Sequence, residues 1–327
     1  MPAQGILGRL KRGECLLLDG GTGSELQRRG VDVLTGVSAE SGLQAWSALA
    51  NIGAAEVVQQ VHQDYLRVGA DIIISNNFWT SPTRLSAIGW GDRWPDLARA
   101  ACENALKARK AGNPDAYVAA GMAPPEKTKQ TTGRSEADAI TLGDAFHREF
   151  AEHARLVADM GVDVVLPEYV GHIADCVAAV DACAEAGLPV FVGVRHIQED
   201  GSMQYGDQLE DLVAALEGHP VDAILLMCSR PEGISAGLPH LRAAFDGPVG
   251  GYANIGYHPT APIVGATTDN QSEQADRTTD FLQTDGYYPA RMASLARQWK
   301  DLGAQIIGGC CATGPEHIQA MGAVVKG

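Results

Sequence analysis

The sequence is short of positive charge, of long apolar runs and of regularly spaced cysteines. It sets 25 lysines and arginines against 40 acidic residues, a formal net charge of −15. A surface that tracks phosphates needs the opposite sign, so nucleic acid is not an expected partner. No stretch approaches the ~20 consecutive apolar residues that span a bilayer, so no membrane role is expected either. Met1 to Glu14 lacks the apolar core of a signal peptide. The seven cysteines are an odd set without a disulfide-framework spacing, and the reducing cytoplasm is the expected setting. Glycine and proline (38 and 16) stay short of low complexity. No composition shift marks a boundary, so residues 1–327 read as one domain.

What is present is a globular chain, 45% hydrophobic and 20% charged over 327 residues. Short apolar runs recur at Cys15–Leu18, Asp71–Ile74, Tyr117–Ala120, Val162–Leu166, Pro189–Val194, Ala223–Met227, Pro248–Tyr252 and Ala304–Ile307. Continuous apolar runs of this length suit parallel strands buried on both faces. Helical spacing appears in Ala54–Val68, Leu97–Ala108, Ala145–Met160, Ala174–Ala186, Leu209–Leu216 and Ala290–Leu302. Gly69, Gly161 and Gly303 each stand between a helix and a strand, where glycine takes a left-handed helix-ending conformation. Alternating strands and helices predict an α/β fold, a single (β/α)8 barrel, with a doubly wound open sheet as runner-up. Long loops are expected after strand three (Met122–Gly143) and strand seven (Ala253–Tyr287).

In such a barrel the chemistry sits at the carboxyl ends of the strands. There the sequence places Asp19-Gly20-Gly21-Thr22-Gly23, Asn76 to Trp79, Glu168-Tyr169, Cys228, and Gly308-Gly309-Cys310-Cys311. Cys228, Cys310 and Cys311 form the sharpest constellation. Three thiolates favour a soft or borderline ion, most commonly zinc, and leave a fourth position open. Three buried thiols, or a vicinal disulfide at Cys310–Cys311, remain the plainer readings. Cys15, Cys102, Cys176 and Cys183 fall in strand or helix positions and read as core.

Thiolate ligands blunt zinc as a Lewis acid, so water activation is not the natural reaction. Such a centre is better suited to holding a substrate thiol, whose free pKa is ~8.5, in its ionised form. Alkylation of that sulfur follows more naturally than hydrolysis.

Here the residues match a family. "LLLDGGTGSEL" (Leu16–Leu26), "GADIIISNNF" (Gly69–Phe78), "GVDVVLPEY" (Gly161–Tyr169), Cys228 after an apolar strand, and "LGAQIIGGCCATGPEHI" (Leu302–Ile318) together resemble the homocysteine S-methyltransferases over nearly the whole chain. The segment Glu168 to His172 looks most like the betaine–homocysteine branch. The resemblance implies a (β/α)8 barrel with zinc on Cys228, Cys310 and Cys311. It implies that Asp19 and Glu168 hold the amino group of homocysteine, and backbone amides of Gly20 to Gly23 could hold its carboxylate as an anion nest; a tight turn whose Asp caps the next helix is the plainer reading of this segment. It places Asn76 in the pocket. Trp46, Trp79 and Tyr169 would form an aromatic cage for a cationic methyl donor, since ring faces attract onium ions; ordinary packing is the plainer reading of the three rings. Tyr287 and Tyr288 could close over that cage. His172 reads as a helix cap, with orienting this region as its alternative, and His317 as a helix-start residue.

The expected activity is methyl transfer from an onium donor to the sulfur of homocysteine, giving methionine. Betaine, dimethylsulfoniopropionate, S-methylmethionine and S-adenosylmethionine are all candidate donors. Another thiol or selenol acceptor, a zinc hydrolase, and a non-catalytic zinc or thiol sensor stay open as alternatives; assembly into a homo-oligomer is compatible with any of them. Three departures bear on the substrates. Met227 stands where many relatives carry Asn, Gly121 to Pro125 differs from the usual glycine-rich turn, and strand five ends Val194-Arg195-His196. Arg195 is a candidate for reaching a donor carboxylate.

Overall fold

A computed structural model describes residues 5–33, 45–125, 143–256, 284 and 286–327. Its strands are β1 (Leu16–Leu17), β2 (Ile72–Ser75), β3 (Tyr117–Met122), β4 (Val164–Pro167), β5 (Phe191–Arg195), β6 (Ala223–Met227), β7 (Val249–Ala253) and β8 (Ile306–Gly309). All pair in parallel, β5 through β8 running on to β1, and β2 through β4 forming a second set. Bridges from Leu18 to Ile72 and from Val165 to Val190 join the two sets at both seams. The ring therefore closes, which the open-sheet alternative would not do, and each apolar run expected as a strand overlaps one.

Alternation along the strands builds two cores. In β6, Ala223, Leu225 and Met227 face the barrel interior, while Ile224 and Leu226 pack outward against the helices. The interior is filled by Leu16, Ile72, Tyr117, Leu166, Phe191 and Ile306. The helix Ile6–Lys11 closes the amino end of the barrel, with Ile6 and Leu10 inserted into that core.

Helices Ala55–Arg67, Trp94–Gly112, Gly143–Asp159, Ile173–Ala184, Leu209–Ala215 and Pro289–Asp301 match the expected segments within a few residues. Gly69, Gly161 and Gly303 have φ of +104°, +89° and +93°, so the left-handed breaks expected there are present. The helix Pro231–Ala244 was not legible in the periodicity. Gly233 and Gly237 interrupt its apolar pattern because the helix presses on its neighbours. A Cβ at Gly233 would meet the Ile197 carbonyl oxygen at 2.2 Å. The expected long connections after β3 and β7 lie largely outside the described residues. Among the described residues no helix is long and apolar enough to cross a membrane.

The amino end of the barrel is tied by a repeated device. Asp71, Asp163 and Asp222 each precede an even-numbered strand. Their carboxylates accept the N–H of Leu17 (2.9 Å) and Val118 (2.8 Å) on the preceding strand and of Val190 (2.9 Å) just before it. Asp71 also pairs with Arg9 and Lys326, and Asp163 with Arg109 at 2.6 Å. Gln305 holds the fourth such place, before β8; its side-chain amide donates to the Leu10 carbonyl oxygen at 2.8 Å.

Candidate active site

Cys228 follows β6 and Cys310-Cys311 follow β8, two strands away on the same rim. Their three sulfurs lie within 4.8 Å of one another, with the Cys310 and Cys311 Sγ atoms 3.9 Å apart. Sulfurs sharing a tetrahedral zinc at ~2.3 Å sit about 3.8 Å apart. The residues present thus fit such an ion, and no pair among them is bridged as a disulfide. Hydrogen bonds from Cys228 and then Cys310 hold the Cys311 thiol well below its ordinary value. Hydrogen bonding to Cys228 and Cys311, reinforced by burial, raises Cys310. The remaining cysteines behave as core, as expected: burial pushes Cys15 up to about 11, Cys102 up to about 12, and Cys176 and Cys183 higher still.

The backbone around this cluster is strained. Trp46, Tyr169, His196, Cys228 and Ala312 have φ between +45° and +66°, a region that favours glycine. Cys228 is fixed there on both sides. Its N–H donates to the Tyr252 carbonyl oxygen at 3.1 Å. Ser229 Oγ donates to the Met227 carbonyl oxygen at 2.9 Å and accepts the Ile197 N–H at 2.8 Å.

The thiols open into a cleft of about 800 Å3, counting its mouth, lined by Trp46, Phe78, Trp79 and Tyr169. The structure thus gathers all three expected cage rings and adds Phe78. That ring lies 5.1 Å from Trp79 and 5.5 Å, edge-on, from Tyr169. Two of the rings are backed by buried guanidinium groups: Arg84 sits 4.4 Å from the Trp79 ring and Arg195 4.6 Å from that of Tyr169. Arg195 also donates to Gln204 Oε1 (2.7 Å) and the Tyr205 hydroxyl (3.2 Å). It supports Tyr169 from behind and is not among the residues lining the cleft. The Met227 sulfur accepts the Tyr169 N–H at 2.8 Å, so this side chain helps to place Tyr169 in the cleft wall.

Two carboxylates lie beneath the cleft. Asp19 is fully buried; one oxygen accepts the Ile74 N–H at 2.9 Å and the other has no partner among the described residues. Burial, with Glu168 close by, holds its carboxyl well above the usual range. Glu168 lines the cleft and accepts the Tyr252 hydroxyl at 2.7 Å. Burial pushes it up to about 7, against the opposing pull of that hydroxyl. Two desolvated acids with an unmet acceptor make a seat for a cation with N–H donors. Tyr252 was not singled out from the sequence. Its inward direction follows only from the register of β7, since Gly251 before it faces outward.

The glycine turn is less free than expected, whereas Asn76 stands in the cleft wall, where it was expected. Gly20 and Gly21 line the cleft, but the Gly21 N–H already donates to the Thr313 carbonyl oxygen at 3.0 Å. A Cβ at Gly20 would stand 2.3 Å from that oxygen, and one at Gly21 2.6 Å from the Cys310 carbonyl oxygen. These glycines let the turn press against the cysteine turn, and the expected nest is shortened by one amide. Asn76 lines the cleft with its amide already engaged. It donates to the Ser47 carbonyl oxygen and Asn51 Oδ1, both at 2.9 Å, and accepts from Ser47 Oγ at 2.6 Å. It pins the Trp46 segment to the end of β2.

His172 stands at the start of Ile173–Ala184, but its ring makes no cap and stacks on Tyr205 at 4.0 Å. His317 sits in the first turn of Pro315–Val325, where Nδ1 accepts the Gly314 N–H at 3.2 Å. The Tyr287 hydroxyl donates to Glu232, and Tyr288 is exposed; neither lines the cleft, so neither closes it here.

Residues 16–325 match the model of a family described as homocysteine S-methyltransferase. A homocysteine S-methyltransferase from Escherichia coli strain K12 is 28% identical, covering 95% of this chain and 96% of its own length. A selenocysteine methyltransferase from Astragalus bisulcatus is 26% identical, covering 94% of this chain and 92% of its own. Among solved structures, the oxidized form of the E. coli homocysteine methyltransferase MmuM superposes with a TM-score of 0.74 at 25% identity. That alignment covers 96% of this chain and 97% of the other.

Proposed function

The chain belongs to the homocysteine S-methyltransferase family, and from that premise we propose that it moves a methyl group from an onium donor to homocysteine, giving methionine. The observation that carries this reading is the thiol trio, with its sulfurs within 4.8 Å of one another, opening directly into a cleft that also holds Glu168 and the rings of Trp46, Phe78, Trp79, Tyr169 and Tyr252. Cys228, Cys310 and Cys311 would hold zinc, the common borderline ion for a thiolate set. When bound, that ion would keep a fourth sulfur ionised near neutral pH, where a free thiol has a pKa of ~8.5.

The chain's own residues do the rest. Glu168 and Asp19 receive the ammonium group of homocysteine, and the incoming positive charge relieves their mutual repulsion. Tyr252 holds Glu168 in place through its hydroxyl. Trp46, Phe78, Trp79 and Tyr169 receive the cationic donor and keep water from it. The sulfur attacks the methyl carbon in line. The new carbon–sulfur bond forms as the methyl–onium bond breaks, and that electron pair returns to the donor as a neutral amine or sulfide. No general base acts in this step; positioning and a dry site supply the catalysis. We read residues 1–327 as one barrel domain. The unbridged thiols suit a reducing compartment such as the cytoplasm.

A small matrix tests this. Homocysteine is offered with betaine, dimethylsulfoniopropionate, S-methylmethionine and S-adenosylmethionine in turn, and methionine is measured directly. At least one donor should yield methionine. None doing so, with zinc confirmed in the protein, would refute the substrate assignment. An arm with selenocysteine as acceptor covers the selenol reading that the A. bisulcatus relative suggests. Hydrolysis in the absence of any thiol would favour a zinc hydrolase instead.

A further inference from the structure

The turn that carries Cys310 and Cys311 is gripped from across the β1–β8 seam. The helix Thr22–Arg28 begins in the glycine turn after β1. Ser24 and Arg28 stand four residues apart, on one face of that helix. Both reach the backbone of Ala312: its N–H donates to Ser24 Oγ at 2.8 Å, and its carbonyl oxygen accepts Arg28 Nη2 at 2.7 Å. Arg28 is itself steered by Glu25, which receives its Nη1. Ala312 has φ of +63°, where a Cβ crowds the following carbonyl. The next residue is tied too, since the Thr313 carbonyl oxygen accepts both the Gly21 N–H and the Tyr65 hydroxyl.

We propose that Ser24 and Arg28 are positioning residues for the metal centre: by clamping Ala312 in its left-handed conformation, they fix where Cys310 and Cys311 present their sulfurs. The proposal rests on the reading of the thiol trio as a zinc site. It also makes the glycine turn beside the substrate and the thiol pair one body, because the same helix starts in the first and holds the second. A clamp of this kind is needed because an alanine, unlike a glycine, does not remain at such a φ unaided.

The test is zinc affinity by competition with a chromophoric chelator, together with the sulfur-to-metal charge-transfer band of the cobalt-substituted protein. Ser24→Ala and Arg28→Met are each expected to weaken zinc about 10-fold and to alter the cobalt band, whereas Ser24→Thr, which keeps the hydroxyl, stays within about twofold. Arg28 is partly exposed, so Arg28→Met removes the bond without burying a new group. Adding Ala312→Gly to Ser24→Ala should restore most of the affinity, because glycine takes this φ without a clash. Zinc binding unchanged in both Ser24→Ala and Arg28→Met would overturn the clamp. So would a loss that follows the melting temperature and is not rescued by Ala312→Gly. If the unaltered protein takes up no zinc, the metal reading itself fails. The clamp is then judged on metal-free protein, by the rate at which a trivalent arsenical bridges Cys310 and Cys311. That rate should fall in Ser24→Ala, and an unchanged rate would overturn the clamp.

Discussion

The two ends of the barrel handle charge and backbone strain in opposite ways. At the amino end, Asp71 and Asp163 each accept a strand N–H and face a cation. Left-handed positions there fall to glycines, Gly69, Gly161 and Gly303. At the carboxyl end, Asp19 keeps an oxygen with no partner among the described residues, and Glu168 leans on a neutral phenol. Beside Gly201 and Gly206, left-handed positions there include Trp46, Tyr169, His196, Cys228 and Ala312, all bearing a Cβ. One end satisfies its groups within the fold; the other leaves them unmet and strained, at a cost of roughly 1–3 kcal/mol per residue. The lesson is that stability and function are drawn from different ends of the same strands.

The largest effect is expected where unmet groups converge most tightly. Cys310→Ser should leave the protein without zinc and abolish methyl transfer, whereas Cys102→Ser, buried in the core, should keep both. Metal analysis of the purified variants decides it. If Cys310→Ser retained a full equivalent of zinc, the carboxyl-end cluster would lose its special standing.

Next comes Glu168. Glu168→Gln should raise the homocysteine KM roughly 100-fold, the scale of a lost charge-assisted contact of about 3 kcal/mol, with a smaller change in the donor KM. The same residue gives a pH signature in the free protein. Its carboxyl ionises near 4.5 in the unfolded chain and at about 7 when folded. Between those values the folded state binds more protons, so stability falls as pH rises through the window and levels off above about 7. At ~1.4 kcal/mol per pH unit the upper limit is about 3 kcal/mol. Glu168→Gln should lessen that slope, leaving the part that the buried Asp19 carboxyl contributes with the same sign, and denaturant melts at pH 5 and pH 8 would show whether it does. A slope unchanged by the substitution would locate the proton elsewhere.

Much of this contrast was legible before the structure. Buried strands announce themselves as continuous apolar runs, and thiols at strand ends stand out because cysteine is rare. What stayed hidden depends on register and on packing across the barrel. Tyr252 meets Glu168 only because β7 turns that side chain inward, and Phe78 reaches the ring of Tyr169 in the cleft only through the path of the chain after β2. The Gly20 to Gly23 turn invited an anion-nest reading, whereas close approach to Cys310 and Thr313 accounts for two of its glycines. Helix Pro231–Ala244 escaped detection because tight packing put glycines where periodicity needs apolar side chains.

The cage should give an intermediate effect. Trp79→Ala and Phe78→Ala are each expected to raise the donor KM about 10-fold, since a desolvated cation–π contact is worth ~1–2 kcal/mol. The homocysteine KM should move less. Equal changes in the two KM values would mean that the rings only pack. Trp79 carries Arg84 on one face while Phe78 has no such neighbour among the described residues, so Phe78→Ala should be the better-tolerated of the two for folding.

The smallest effect on methyl transfer is expected at the amino end, and there the comparison can be broken outright. Asp163→Ala removes the acceptor for the Val118 N–H and the partner of Arg109, both partly buried. It should cost about 3 kcal/mol of stability, the range for a lost charged hydrogen bond. Gln305→Ala removes a neutral hydrogen bond to the Leu10 carbonyl oxygen and should cost about 1 kcal/mol. Neither side chain reaches the thiols or the cleft, so kcat, both KM values and zinc content should stay as in the unaltered protein when measured well below the melting transition. Denaturant melts and steady-state kinetics on the same two samples test both halves of that statement. A kcat that fell in proportion to the stability lost would mean that the amino end holds the active-site geometry as well as the fold, and the division of labour along the strands would be wrong.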